Sequence, residues 1–373
     1  GALLRFVPNA SKVTFLSVSP MPKGGSVVWF KELFGFDEGQ SYSKNRAMFS
    51  MDGLDLVCPT SPHPRQHVGP FETPSVAELR ERLARDSAAG VSSAGGLRFT
   101  HLPAPTGVEP IMLNPQNAGS VFQAASQFNC LEMVGPGVSP RQGIAQYALD
   151  PTQGPKCALA CPAGTVFRNY LCNGGAGQGE QQIDTLADVG AVLGNAKGQL
   201  WQMQNGYALP KTPSSLAGLN ERLAANPELS AAAEAALRVG VHWDTQAKPP
   251  HTHRVAQVYA SALPVAYAKT TKSADWEPLA HIVLRGAYAA TLAVAQCKSI
   301  REGGRRVSVY LTALGGGAFG NRTDWIRDAM AAALDAFRDA PLDVYLVHYG
   351  SRVPSEWAAA VPDRGGGGKK APK

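Results

Sequence analysis

The sequence has few charged residues and little excess of one sign outside its last ten positions. Charged side chains make up 17% of the 373 residues and hydrophobic ones 44%. This composition excludes an intrinsically disordered chain and favours a soluble globular one. The net charge is +6, but the final RGGGGKKAPK contributes four cations and no acid, which leaves +2 for the rest. We therefore expect a solubilising tail and no nucleic-acid-binding surface.

Membrane and export signals are also missing. No apolar run approaches the roughly 20 residues that a membrane span needs, so we expect no membrane association. The N-terminus lacks the basic stretch, apolar core and cleavage site of a signal peptide, although its Gly-Ala start would fit a trimmed tag or targeting segment. The expected location is the cytoplasm, with the nucleus as an alternative.

Cysteine is sparse, and its spacing indicates neither a disulfide framework nor a metal site. No two cysteines form a C-x-x-C pair, and HTH at 251–253 has no Cys or acidic residue at a suitable ligand spacing. We expect reduced, buried thiols, no metal and no redox cofactor. The six cysteines are Cys58, Cys130, Cys157, Cys161, Cys172 and Cys297.

Composition shifts divide the chain into three parts. We expect an N-terminal extension or small subdomain at 1–109, a main domain at 110–352 and a flexible basic tail at 353–373. A mostly helical, polar stretch at about 196–238 is expected to be an insertion in the main domain.

The extension contains several recognisable elements. KVTFLSV (12–18) is typical of a strand, VVWFKELFGF (27–36) of a helix or a strand, and MDGLDLVCP (51–59) of a hairpin. In PSVAELRERLARD, Ser75 and Glu78 have the spacing of a capping box, which predicts that a helix begins there.

The main domain alternates buried strands with helices. CALAC (157–161), VAQVYASAL (255–263), VSVYLT (307–312) and LDVYLV (342–347) are interpreted as strands. A helix at about 324–338 joins the last two, which predicts a right-handed βαβ unit. We therefore predict an α/β fold, a three-layer α/β/α sandwich with a mixed, mostly parallel sheet.

The strand at 307–312 runs directly into three glycines, in VSVYLTALGGGAFGN (307–321). A glycine loop before a helix N-terminus is typical of an anion site, because its amides can approach a diphosphate closely. The loop is neither G-x-x-x-x-G-K-[ST] nor G-x-G-x-x-G, which disfavours a P-loop kinase and a Rossmann dehydrogenase. The alternative is that the glycines only let the helix pack closely on the sheet.

The segment Gly317-Ala318-Phe319-Gly320 resembles the second phosphate-binding loop of macrodomains, in the form found in the poly(ADP-ribose) glycohydrolase branch. SVFQAASQFNCLEM (120–133) resembles the first binding loop, which grips the distal ribose. NGGAGQGEQQIDTLADVG (173–190) resembles the segment that carries the catalytic carboxylates. Where the glycohydrolases have paired glutamates, this chain has Gln181-Gln182, which puts cleavage by a glutamate pair in doubt.

Several motifs together are similar to a divergent macrodomain group that includes a Legionella effector acting on ADP-ribosylarginine of ubiquitin. They are QAASQFNCLEM, DPTQGPKCALACPAGTVFRNY, RVGVHWDTQ, SALPVAY and LGGGAFGN. The resemblance spans about 110–350. It implies a macrodomain-like sandwich that removes mono-ADP-ribose from proteins, from arginine, with ubiquitin as a candidate partner and no cofactor. The alternative is a reader module that binds ADP-ribose without cleaving it.

Hydrolysis of an N-glycosidic bond needs a carboxylate that activates water or stabilises the cationic ribose. Asp184 and Asp188 lie four residues apart in a helical pattern and so share a face; a capping and surface pair is the alternative. Asp244 ends the strand-like RVGVHWD, and strand C-termini of open α/β sheets face the ligand crevice. Turn capping is the alternative for Asp244.

These motifs define the candidate site. In this hypothesis the loop at 314–321 holds the diphosphate and the loop at 120–132 orients the distal ribose. The catalytic candidates are Asp184, Asp188 and Asp244. The ADP-ribose-binding candidates are Gln123, Asn129, Glu132, Gly315, Gly316, Gly317, Ala318, Phe319, Gly320 and Asn321.

Overall fold

A computed structural model describes residues 28–88, 95–212 and 214–365. The strands in these ranges are β1 (Ser50–Asp52), β2 (Asp55–Val57), β3 (Arg65–His67), β4 (Phe71–Glu72), β5 (Arg98–Ala104), β6 (Val121–Ser126), β7 (Trp201–Gln204), β8 (Tyr207–Pro210), β9 (Gly240–Gln246), β10 (Arg254–Ser261), β11 (Val307–Leu311) and β12 (Leu342–Tyr349). The α-helices are α1 (Val28–Phe34), α2 (Tyr42–Ala47), α3 (Val76–Ala88), α4 (Glu109–Leu113), α5 (Gln153–Ala160), α6 (Pro162–Val166), α7 (Ala187–Leu193), α8 (Ala217–Ala225), α9 (Pro227–Ala236), α10 (Glu277–Arg301), α11 (Thr323–Ala336) and α12 (Ser355–Ala360).

A seven-stranded sheet with the order β4-β9-β10-β6-β11-β12-β5 forms the centre of the fold. The strands from β10 to β5 pair in parallel with their neighbours. β9 is antiparallel to both β10 and β4. The sheet is therefore mixed and mostly parallel, as predicted, and β11, α11 and β12 form the expected βαβ unit.

Side chains that alternate along the strands build a core on each face of the sheet. In β6, Val121 joins one core and Phe122 the other, because successive strand residues point to opposite faces. The first face is covered by α10 with α3, α9 and α11, and the second by α4, α5 and α6. The predicted three-layer α/β/α sandwich is confirmed.

The N-terminal part of the chain contributes to two places. The small sheet β1-β2-β3, with α1 and α2, packs its own aromatic core against the main domain, including Phe30, Phe34 and Phe49 next to Leu131 and Tyr170. β4 and β5, by contrast, are strands of the central sheet. The boundary expected at 109/110 thus does not coincide with an edge of the sheet.

Most of the local elements predicted from the sequence are present, but one predicted strand is a helix. The hairpin β1–β2 and the helix α1 are present, and Ser75 and Glu78 exchange both bonds of the predicted capping box. The strand expected at 157–161 is wrong, because these residues lie mainly in α5. Cys-Ala-Leu-Ala-Cys has no β-branched residue, and alanine favours a helix. The strand expected at 12–18 lies outside the described residues.

The sequence was expected to contain no apolar run long enough to span a membrane. One helical stretch of the described residues differs from this expectation. Ser273–Arg301, which contains α10, is long and apolar enough to cross a membrane by length and composition. Within the fold, 78% of its apolar window is buried. It packs between the sheet and α3, α9 and α11, which is the position of a core helix.

Candidate functional site

The glycine loop, residues 312–321, leaves the sheet at the carboxyl end of β11 and leads into α11. Gly315 and Gly320 have φ angles of +75° and +71°, a region that glycine adopts at little cost. A Cβ atom on Gly315 would lie 2.4 Å from the Cβ atom of Ala262, whereas one on Gly317 would have no atom within 4 Å. Close packing therefore explains Gly315 but not Gly317.

Three consecutive main-chain amides of this loop have no acceptor within the described part of the chain. The loop is closed by the Asn321 N–H, which donates to the Gly315 carbonyl at 2.9 Å. Among the residues that the structure describes, no acceptor binds the N–H groups of Gly317, Ala318 and Phe319. Gly317 is exposed and the next two residues are half-buried. With the N-terminus of α11 beside them, these amides are suited to a pyrophosphate.

A tight turn at 127–133 follows β6, which is the neighbour of β11 in the sheet. Cys130 has a φ of +60°, and its carbonyl accepts a hydrogen bond of 3.0 Å from Nε of the buried Arg168. Asn129 is fully buried. Its Oδ1 accepts from the Leu131 N–H at 3.1 Å, and its Nδ2 donates to Gln182 Oε1 at 2.9 Å. Asn129 therefore joins the turn to the glycine-rich segment.

Three aromatic rings contact one another beside the glycine loop. The ring centroids of Tyr207, Tyr267 and Phe319 lie 5.2 to 5.6 Å apart. Tyr207 belongs to the β7–β8 hairpin and donates its hydroxyl to the Met133 carbonyl at 2.8 Å. Tyr267 follows β10 and is half-buried. The half-buried rings of Tyr267 and Phe319 can stack on a base or a ribose, whereas Tyr207 is 1% exposed and supports them from within the protein.

Tyr207 and Tyr267 were not predicted from the sequence as site residues. A usable signal was the Asn205-Gly206 pair, because this dipeptide between short strands predicts a two-residue hairpin turn. Asn205 and Gly206 do have φ angles of +48° and +82°. The contact of the hairpin with Phe319 depends on tertiary packing, for which the sequence holds no local signal.

Gln123 and Asn321 are placed beneath the loop. Gln123 is fully buried; its Nε2 donates to Thr291 Oγ1 at 3.0 Å and its Oε1 accepts from the Thr312 N–H at 3.3 Å. Asn321 Nδ2 donates to the Leu263 carbonyl at 2.7 Å. Both side chains support the loop from within the protein, so the ribose contact expected for Gln123 would require these bonds to break.

Glu132 is a buried carboxyl group in the 127–133 turn. It is 1% exposed, and its Oε1 has no hydrogen-bond partner in the described part of the protein. Burial raises the pKa of Glu132 to about 8, and the nearby Arg168 opposes this only in part. Glu132 is therefore mostly protonated at neutral pH and can donate a proton or a hydrogen bond.

Asp184 is half-buried in the glycine-rich segment, three residues before α7 begins at Ala187, so the helix face that it was predicted to share with Asp188 is wrong. Its Oδ1 accepts from the Leu186 N–H at 2.9 Å. Burial raises the pKa of Asp184, and hydrogen bonds from Leu186 and Ala187 lower it by less. Within the described residues its carboxylate has no ion-pair partner, which distinguishes it from the other two catalytic candidates.

Asp188 and Asp244 are both engaged in ion pairs. Asp188 accepts from Arg238 Nε at 2.6 Å, and Asp244 from Lys298 Nζ at 2.8 Å. Because β9 runs antiparallel to β10, Asp244 lies at the opposite edge of the sheet from the glycine loop. The reason for expecting Asp244 at the ligand crevice, a parallel strand direction, therefore does not hold.

Comparison with known proteins gives structural likeness only. No protein-family model matches the chain, and no curated protein matches it. Poly(ADP-ribose) glycohydrolase from Deinococcus radiodurans in complex with ADP-ribose has a TM-score of 0.42 and 11% identity, over 78% of this chain and 92% of that one. The glycohydrolase from Thermomonospora curvata bound to the inhibitor ADP-HPD has a TM-score of 0.38 and 13% identity, over 86% and 97%.

We expect Gly315→Ala and Gly317→Ala to differ sharply in stability. The first places a methyl group against Ala262 on a left-handed backbone, which should cost about 2 kcal/mol or more. The second places it in open space and should cost less than about 1 kcal/mol. Denaturant unfolding of both variants measures the difference. Equal losses would contradict the division of the loop into packed and open glycines.

We expect Glu132 to make stability fall as the pH rises. The pKa of about 8 in the folded protein exceeds the value of about 4.3 for an unfolded glutamate. The stabilisation is therefore complete below the unfolded pKa and is lost as the pH rises toward 8, by at most about 1.4 kcal/mol per pH unit. Unfolding of wild type and Glu132→Gln from pH 5 to 9 tests this. Parallel pH profiles would refute it.

Proposed function

We propose that this chain binds ADP-ribose and, as a hydrolase of the macrodomain kind, removes mono-ADP-ribose from proteins. The observation that carries the proposal is the run of amides at 317–319, which lie at the carboxyl edge of the sheet and have no acceptor in residues 28–88, 95–212 and 214–365. A pyrophosphate accepts several hydrogen bonds, and main-chain N–H groups without bulky side chains can approach it closely. The aromatic cluster beside these amides supplies faces for the nucleoside.

The arrangement of strand ends supports a single elongated ligand. β10, β6 and β11 are consecutive in the sheet, and each is followed at the same edge by a segment of the candidate site. Neighbouring strands lie about 4.8 Å apart, so the three ends span about 10 Å. A dinucleotide-sized molecule can contact all three segments at once.

Asp184 is the proposed acid–base residue. Its raised pKa brings the carboxyl closer to neutral pH, where proton transfer is most effective. It follows Gln182, which is bonded to the 127–133 turn, so the carboxylate belongs to the segment that borders the proposed ribose end. A carboxylate there can also hold a departing guanidinium, which supports arginine as the linked residue and an arginine-modified protein such as ubiquitin as the substrate.

The compartment that we propose is the cytoplasm or the nucleus. All six cysteines are free and buried, which is consistent with a reducing environment.

A reader without catalytic activity is the second candidate. It is favoured by the glutamines at 181 and 182 and by the ion pairs that engage Asp188 and Asp244. Such a module needs the cradle at 317–319 but no available carboxylate. Binding and turnover must therefore be measured separately.

We expect Gly317→Glu to abolish ADP-ribose binding in a folded protein. The new carboxylate lies where Gly317 faces open space, so it should repel the diphosphate without straining the fold. Gly218→Glu on α8 is the matched control, because Gly218 is also exposed with no atom within 4 Å of a Cβ position. Calorimetric titration with ADP-ribose should show binding by the control and wild type only. Unchanged binding by Gly317→Glu would remove the cradle from the site.

We expect Asp184→Asn to lower the turnover rate by at least about 100-fold, the usual scale of acid–base catalysis. Its ADP-ribose affinity should stay within about threefold of wild type, because an Asn oxygen can still accept from the Leu186 N–H. The measurement is release of ADP-ribose from an arginine-modified protein, with Asp188→Asn and Asp244→Asn as ion-pair controls. Full activity of Asp184→Asn would exclude it as the acid–base group, and absence of wild-type turnover with intact binding would favour the reader.

A further inference from the structure

Four hydrogen bonds join five side-chain and main-chain groups in a directional relay through Gln182. Asn129 Nδ2 donates to Gln182 Oε1 at 2.9 Å, and Gln182 Nε2 donates to Asn205 Oδ1 at 2.8 Å. Asn205 Nδ2 then donates to the carbonyl of Pro136 at 2.7 Å. At the other end, the Leu131 N–H donates to Asn129 Oδ1 at 3.1 Å. The relay thus joins the 127–133 turn, the glycine-rich segment and the tip of the β7–β8 hairpin.

The polarity of this relay is fixed at both ends. A main-chain N–H can only donate and a main-chain carbonyl can only accept, so Leu131 and Pro136 determine the orientation of every amide between them. Gln182 must accept from Asn129 and donate to Asn205. An ionised carboxylate accepts at both oxygens and would set two acceptors against each other at Asn205. A protonated carboxyl could satisfy both positions.

The β7–β8 hairpin, which the relay holds, also packs closely against the 127–133 turn. A Cβ atom on Gly206 would lie 2.6 Å from Asn129 Oδ1, and the Phe128 N–H donates to the Gly206 carbonyl at 3.0 Å. The next residue, Tyr207, contacts Phe319 of the glycine loop at 5.4 Å between centroids. Any displacement of the hairpin tip therefore moves the aromatic cluster at the cradle.

We propose that Gln182 is a positioning residue, which fixes the β7–β8 hairpin over the 127–133 turn and can do so only while its side chain is uncharged. An ionised carboxylate at position 182 would break the bond to Asn205, so the acid–base group of this chain lies elsewhere. The consequence for ligand binding rests on the proposed function, whereas the relay itself does not.

The test compares Gln182→Glu with Gln181→Glu and Gln182→Met. Gln181 is the exposed neighbour, so its variant introduces the same charge outside the relay. The Met variant removes the relay bonds at every pH. Thermal unfolding from pH 5 to 9 should show Gln182→Glu about 3 °C below wild type at pH 8. This deficit should shrink toward pH 5, because a pKa raised in the folded state gives stability that is lost as the pH rises.

Gln181→Glu should follow wild type throughout, and Gln182→Met should show a deficit that does not change with pH. If Gln182→Glu matches wild type at every pH, or shows the same deficit at every pH, the proposal is overturned.

Hydrogen–deuterium exchange of the peptide at 201–210 measures the mobility of the β7–β8 hairpin directly. We expect this peptide to exchange faster in Gln182→Glu than in wild type at pH 8. Unchanged exchange there also overturns the positioning role.

Calorimetry with ADP-ribose separates this inference from the proposed function. We expect Gln182→Glu to bind about tenfold more weakly than wild type at pH 8 and to recover toward pH 6. If wild type itself does not bind ADP-ribose, the proposed function fails while the stability and exchange measurements still decide the relay. If wild type binds and the relay variant binds equally well at pH 8, the hairpin does not position the site.

Discussion

The candidate site depends on the hydrogen bonds of one buried side chain, the guanidinium of Arg168. It is fully buried in a π-helical turn, and it donates to the Cys130 carbonyl, to His242 Nδ1 at 3.1 Å and to Thr165 Oγ1 at 3.1 Å. The guanidinium also lies 3.6 Å from the ring centroid of Tyr259. Removing one partner of a buried charge is costly, because the charge is left unsatisfied.

The main chain of the same residue holds the second segment of the site. The Arg168 carbonyl accepts from Gln178 Nε2 at 2.9 Å, and that nitrogen also donates to the Asn129 carbonyl at 3.0 Å. The turn after β6 and the glycine-rich segment are thus both hydrogen-bonded to Arg168. His242 can accept from Arg168 because burial lowers the pKa of its imidazole well below the usual range and keeps it neutral.

The N-terminal region supports the 127–133 turn from the side of Leu131 and Tyr170. Its aromatic core packs on Leu131 and Tyr170, and the Glu38 carboxylate accepts from the Ile144 and Ala145 N–H groups. A segment that looked separate in the sequence therefore stabilises the rear of the 127–133 turn. No role for this region was predictable from the sequence, because these contacts join residues 106 or 107 positions apart.

Local patterns were sufficient for some elements and not for others. The βαβ unit at β11–β12 and the capping box of α3 were predictable, because strand runs and cap spacing are local signals. The strand direction of β9 is set by its neighbours in the sheet, so Asp244 was expected at the wrong edge. CALAC illustrates a short apolar run whose composition, not its hydrophobicity, decides between helix and strand. Tyr207 and Gln182 gain their significance only from contacts across the fold.

The cradle at 317–319 is made of peptide groups, and the loop TALGGGAFGN has no charged side chain. Peptide N–H groups do not titrate in the physiological range, and every amino acid except proline provides one. These donors therefore stay in place when the surrounding side chains are substituted, provided that the open glycine stays small. The amino-acid sequence of the loop can change widely while the path of its backbone, and with it the direction of the three N–H groups, is kept.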